Sequence, residues 1–104
     1  MRKSGNWMEL IDDRILEALN SESWSTPHFL SFDIEIAASE EQIFERCEVL
    51  RRAGFVEREF DDHYEITKWG ALYLDGQVSA KVRRPEPAPR PPEAVRPGWY
   101  AGFG

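Results

Sequence analysis

Cysteine is almost missing from this sequence, since Cys47 is the single thiol in 104 residues. A lone cysteine excludes an internal disulfide and any C-x-x-C redox or zinc pattern, and points to an intracellular chain with one buried thiol. Histidine is nearly as scarce: His28 and His63 stand far apart on different predicted elements, without ligand spacing such as H-x-x-x-H, so no metal site is expected. No G-x-S-x-G, phosphate loop or G-x-G-x-x-G occurs, so neither an enzyme nor a bound cofactor is expected. No apolar run approaches the ~18 residues of a membrane span. The opening "MRKSGNWMELIDDRIL" lacks the apolar block and cleavage site of a signal peptide. The expected location is the cytoplasm, with no membrane partner.

Positive charge is also in short supply. Three lysines (Lys3, Lys68, Lys81) and ten arginines face nineteen acids, for a formal charge of −6. That balance excludes a sequence-independent nucleic-acid coat protein, which depends on a dense excess of Lys and Arg. A sequence-specific binder with a local basic patch remains compatible. The charge is unevenly placed: residues 1–76 hold eight Lys and Arg against seventeen acids, a balance of −9, and residues 77–104 hold five against two, a balance of +3.

What is present falls into two regions with a border near Gly76. Residues 1–76 are periodic and punctuated by turns, one domain's worth of chain. Residues 77–104 carry six of the seven prolines and no helical or strand period. Such a Pro/Arg-rich segment favours extended polyproline conformations and reads as a flexible, disordered tail. Its basic side chains (Lys81, Arg83, Arg84, Arg90, Arg96) suit a phosphate-tracking arm, while Trp99, Tyr100 and Phe103 suit a docking peptide for a protein partner.

Within the first region, "WMELIDDRILEALNSE" places Trp7, Ile11, Ile15 and Leu19 at four-residue steps, the signature of an amphipathic helix. Ser25 or Thr26 before Pro27 starts a short second helix to about Ser31. "DIEIA" has a brief β alternation and predicts a minor third strand. Ser39 with Gln42 is a capping-box pattern opening a third helix, with Ile43, Cys47 and Leu50 as its buried stripe and Phe44 alongside. Gly54 fits a helix C-terminus. "FVEREF" and "YEIT" read as two strands joined by "DDH". Thr67 caps a last helix, in which Trp69, Leu72 and Tyr73 close the core. The order predicts an α+β, mainly α fold, a winged helix-turn-helix with a two-stranded wing.

The segments "DDRILEAL", "ER" in the third helix, "AGFV", "YEIT" and "YLDG" together resemble the winged-helix regulators of halophilic archaea related to the phage phi-H repressor. The resemblance covers residues 7–76, with Cys47 where those sequences usually carry Leu and "GFV" for the usual "GLV". Few lysines and many carboxylates agree with proteins that stay hydrated in concentrated salt, although GC-rich coding also favours Arg. The resemblance implies a DNA-binding transcriptional regulator, expected to be a repressor and a possible homodimer. Helix 1 (Trp7, Met8, Leu10) and the last helix (Trp69, Tyr73, Leu74) are the candidate pairing surfaces.

In this architecture the third helix enters the major groove of double-stranded DNA and the wing approaches phosphate. Ser39, Gln42, Arg46 and Arg52 on that helix, with Arg58 and Lys68 around the wing, are the candidate DNA-binding residues. Gln42 can contact adenine and Arg46 guanine in bidentate fashion. Arg46 has a second reading, as an ion-pair partner of Glu45 or of an acid on helix 1. The glutamates of the third helix and the acidic wing tip oppose phosphate binding. The rival reading is therefore a winged-helix protein-interaction module without DNA binding.

Overall fold

A computed structural model describes residues 2–85, in the order α1 (Leu10–Glu22), α2 (Pro27–Leu30), α3 (Glu40–Arg52), β1 (Val56–Glu59), β2 (His63–Ile66) and α4 (Lys68–Leu74). It is a winged helix-turn-helix, four helices with a two-stranded antiparallel sheet. No helix among the described residues is long and apolar enough to cross a membrane.

Local signals set most boundaries. Glu9 and Asp12 form a reciprocal capping box, which starts α1 at Leu10 and leaves Trp7 in the preceding turn. The four-residue spacing carries the apolar stripe back to Trp7 but not the helix. Thr26 Oγ1 accepts from the Phe29 amide, Ser39 Oγ from that of Gln42 and Thr67 Oγ1 from that of Gly70, so each of the other helices begins on a hydroxyl cap. At the far end of α3, the Phe55 amide donates to the Leu50 carbonyl and the Gly54 amide to that of Arg51, with Gly54 at φ 86°. That Schellman closure needs a left-handed residue. The same pair of bonds closes α4 at Gly76.

The strands pair Val56 with Ile66, Glu57 with Glu65, Arg58 with Tyr64 and Glu59 with His63. Opposed residues share a face, so Val56, Arg58, Tyr64 and Ile66 look inward, and Glu57, Glu59, His63 and Glu65 look out. The predicted minor strand at "DIEIA" is absent among the described residues. Asp33 holds it as a turn, its carbonyl accepting from the Ile36 and Ala37 amides and its side chain from that of Glu35. Local Asp capture outcompetes a brief β alternation. A β-bridge forms instead at Ser25, which exchanges two backbone hydrogen bonds with Tyr64 (2.8 and 3.0 Å).

The core gathers Ile15, Leu16 and Leu19 of α1, Ile43, Cys47 and Leu50 of α3, and Phe55, Tyr64 and Tyr73, all fully buried. Phe55 stacks on Tyr73 at 5.3 Å. Gly70 lets α4 approach closely, since a Cβ there would collide with the Phe55 carbonyl. Burial first, then a hydrogen bond to Asp13, pushes the Tyr73 hydroxyl up to about 12. Phe44 and Trp69, read as core residues, are 37% and 45% exposed.

Packing continues past Gly76. Ala80 is fully buried, its amide donates to the Lys3 carbonyl, and its carbonyl accepts from the Trp7 indole at 2.8 Å. Arg83 lies over the Trp69 ring at 4.5 Å. Contacts therefore continue past the border read at Gly76, because Val78 and Ala80 supply apolar packing that a count of prolines does not register. Arg90, Arg96, Trp99, Tyr100 and Phe103 lie outside the described residues.

Candidate nucleic-acid interface

Helical geometry sorts the side chains of α3 into three columns. Ile43, Cys47 and Leu50 point to the core. Glu41, Glu45 and Arg52 form the outermost column, flanked by Gln42 and Val49 on the α1 side and by Phe44 and Glu48 on the wing side. Ser39 spends its hydroxyl on the first turn, leaving Gln42 exposed near the helix start.

Arg46 does not join the outer column. Its Nε and Nη2 donate to the two oxygens of Asp12 at 2.9 and 2.7 Å, Nη2 also reaches the Trp7 carbonyl at 3.1 Å, and Nη1 sits 3.2 Å from Glu9. The Arg46 side chain is 14% exposed and that of Asp12 is wholly buried. The hydrogen bonds to Asp12, with the charges of Asp12, Glu9 and Glu45, raise the guanidinium pKa despite burial. Arg46 thus joins α3 to α1, the helix-1 partner of its ion-pair reading being Asp12.

The other flank of α3 is tied to the wing through Glu48. Its carboxylate accepts from Arg51 at 2.9 Å and from the Tyr64 hydroxyl, and stands 3.5 Å from Arg58. Burial raises the Glu48 pKa, but the hydrogen bonds from Arg51 and Tyr64 and the charges of Arg51 and Arg58 outweigh it, so the carboxyl is held below its ordinary value. Burial and then Glu48 raise the pKa of Tyr64 in turn. Arg58 also covers the Phe44 ring at 5.4 Å and donates to the Asp61 carbonyl. One carboxylate therefore gathers two arginines and fixes the wing against α3.

Among the described residues, Arg52 and Lys68 form no ion pair. Lys68 lines a shallow groove along the outer edge of β1 with Arg51, Arg58 and Arg83, and Arg52 stays in the outer column of α3, near Gln42, Glu45 and Val49. The structure thus places Lys68 beside the wing and Arg52 in line with the glutamates of the outer column. The candidate pairing surfaces differ as well: Tyr73 is fully buried, whereas Leu10 is 74% exposed.

Asp12 and Glu48, the two carboxylates that organise this region, were not singled out from the sequence. The signal for Asp12 was available, since it lies three residues after Glu9 at a helix start. Glu48 had only its i,i+3 spacing to Arg51. Cys47 lies between them in sequence, fully buried, and burial with the neighbouring Glu48 and Asp12 charges pushes its thiol up to about 12.

A family model described as a winged helix-turn-helix phage repressor matches residues 1–82. Among solved structures, the chain is similar to the PhiH1 repressor-like protein from Haloarcula marismortui. The two are 34% identical, the match covers 83% of this chain and 98% of that one, and the TM-score is 0.78. No curated protein matches.

Proposed function

The chain belongs to the winged helix-turn-helix phage repressor family, and from that premise we propose that it is a sequence-specific transcriptional repressor that reads the major groove with α3. The observation that carries this reading is the outward flank of α3, where Gln42 and Arg52 stand exposed or half-buried while the helix is anchored on one side by Asp12 and on the other by Glu48. A helix held from both flanks presents its side chains in fixed positions, as base readout requires. Arg58 and Lys68 are the phosphate contacts of the wing side, Ser39 caps the helix start through the Gln42 amide, and Arg46 is left out of the reading set. A regulator of this kind works in the cytoplasm, where the DNA is. A homodimer would use Leu10 and Trp69, the exposed members of the candidate pairing surfaces.

The acidic column of Glu41 and Glu45 is compatible with DNA where salt is concentrated, because the Debye length falls to about 3 Å at 1 M. The same column supports a second reading, a protein-interaction module without DNA binding. Selection from a randomised duplex library at low and molar salt separates the two. A recovered palindrome or half-site supports the repressor, with half-site spacing reporting the dimer. Recovery of no sequence at either salt supports the interaction module.

A further inference from the structure

Large apolar side chains stay exposed along one short stretch of chain: Trp24 is 46%, Phe29 62% and Phe32 68% exposed. All three line an open groove of about 830 Å³ between α1 and the α2 turn, together with Ala18 and Leu30. That volume lies within the roughly 300–1,000 Å³ of small-molecule sites. None of the three rings stacks on another: Trp24 meets His63 at 4.5 Å, and Phe29 and Phe32 meet His28 at 6.1 and 5.0 Å. Their frame is fixed, because Ser25 exchanges two backbone hydrogen bonds with Tyr64 and Thr26 caps α2. Rings held apart on a fixed frame bind without a further ordering cost. The charge along the groove is mostly of one sign. Glu22, Asp33 and Glu35 line it, and none of them forms an ion pair among the described residues. Arg14, the lining guanidinium, is 3.1 Å from Glu17, a carboxylate it shares with Arg2. Even with Arg2 counted, two guanidiniums stand against four carboxylates.

We infer that this groove binds a small organic cation with bulky apolar substituents, of the quaternary ammonium or phosphonium class. Aromatic faces attract such a cation through the ring quadrupole, and its apolar groups bury the exposed rings. The unpaired carboxylates of Glu22, Asp33 and Glu35 supply the longer-range attraction that fixes the sign of the ligand. The same charge disfavours other occupants. A second copy of the chain would set acids against acids, and a nucleic acid or an anionic lipid surface would be repelled. The inference stands whether or not α3 reads DNA.

The test is an NMR titration of the isotope-labelled full-length chain, in sodium buffer, with tetraphenylphosphonium and separately with tetraphenylborate, ions of one shape and opposite charge. Tetraphenylphosphonium should shift the Trp24 indole and the amides of Ala18, Ser21, Phe29 and Phe32, and should bind at least about ten-fold tighter than tetraphenylborate. Glu22→Gln/Glu35→Gln should shrink that ratio to about three-fold or less, and Glu22→Lys/Glu35→Lys should reverse it. Phe29→Ser/Phe32→Ser, which removes two exposed rings, should weaken the cation by about ten-fold. Equal affinity for the two ions, shifts lying outside the groove, or a ratio unchanged by the glutamine substitutions would overturn the proposal. Shifts caused by a Leu/Lys amphipathic peptide and not by tetraphenylphosphonium would assign the groove to a protein segment. Sedimentation as a dimer that Phe29→Ser/Phe32→Ser dissolves would assign it to a second copy. Either result overturns the small cation.

Discussion

The two flanks of α3 solve the same problem differently. On the α1 side one carboxylate, Asp12, is fully buried and meets one arginine in bidentate geometry. On the wing side Glu48 retains 16% exposure and is shared by Arg51, Arg58 and a tyrosine hydroxyl. A wholly buried carboxylate paired with a mostly buried guanidinium is costly to break from one end, because the survivor is left charged and poorly hydrated. A half-solvated cluster yields gradually, since water replaces what is lost. The first flank should therefore report on whether the domain folds and the second on whether the wing stays in place.

Breaking the buried pair should have the largest effect. Asp12→Ala leaves Arg46 only the exposed Glu9 carboxylate and the Trp7 carbonyl and removes the acceptor of the Glu9 amide, so chemical denaturation should show a loss of about 3–5 kcal/mol. Replacing both ends, Asp12→Leu with Arg46→Met, should recover most of it, because neither charge is then stranded. If the double variant were as unstable as the single one, the capping role of Asp12 would outweigh the ion pair.

Glu48→Gln tests the other flank and should cost about 1–2 kcal/mol, the loss of charge-assisted bonds with shape retained. Hydrogen exchange should place the loss in Val56–Ile66 rather than across the core. Acid should do the same without mutation. The folded pKa of Glu48 lies below its ordinary value of 4.5, so its contribution is complete above that value and disappears as pH falls through the lower folded value. Glu17, whose burial is likewise outweighed by hydrogen bonds from Arg2 and Arg14, is lowered in the same direction. Protection factors of the wing amides, taken against the intrinsic exchange rate at each pH, should fall on acidification in the wild type, and the change should be muted in Glu48→Gln.

The contrast between the flanks also marks how far the sequence could be read. Ser39, Thr26 and Thr67 act through bonds to the next turn of chain, so their roles were visible as spacing, as were Gly54 and the buried stripe of Ile43, Cys47 and Leu50. Arg46 was ambiguous because its partner lies thirty-four residues away, and helix geometry alone does not say which acid α1 turns inward. The Ser25 bridge was hidden for the same reason, being a pairing of one residue with no pattern. Prolines after Gly76 obscured Ala80, whose burial depends on Lys3 and Trp7 at the other end of the chain.

The smallest effect on stability should come from Arg52 and Lys68, which lie outside both anchors. Replacing either by Ala should change folding by no more than about 0.5 kcal/mol. If the anchored helix serves DNA reading, the consequence should appear in binding. Lys68→Ala, as a phosphate contact, should weaken all sequences alike and reduce the slope of log affinity against log salt by about 1. Arg52→Ala, on the face of α3 beside Gln42, should instead relax preference at one position of the selected site, costing about 1–3 kcal/mol there. Because neither substitution disturbs the anchors, a uniform loss for both would make Arg52 a phosphate contact. Unchanged binding in both would leave the acidic column of Glu41 and Glu45 as the working surface of α3 and favour a protein partner.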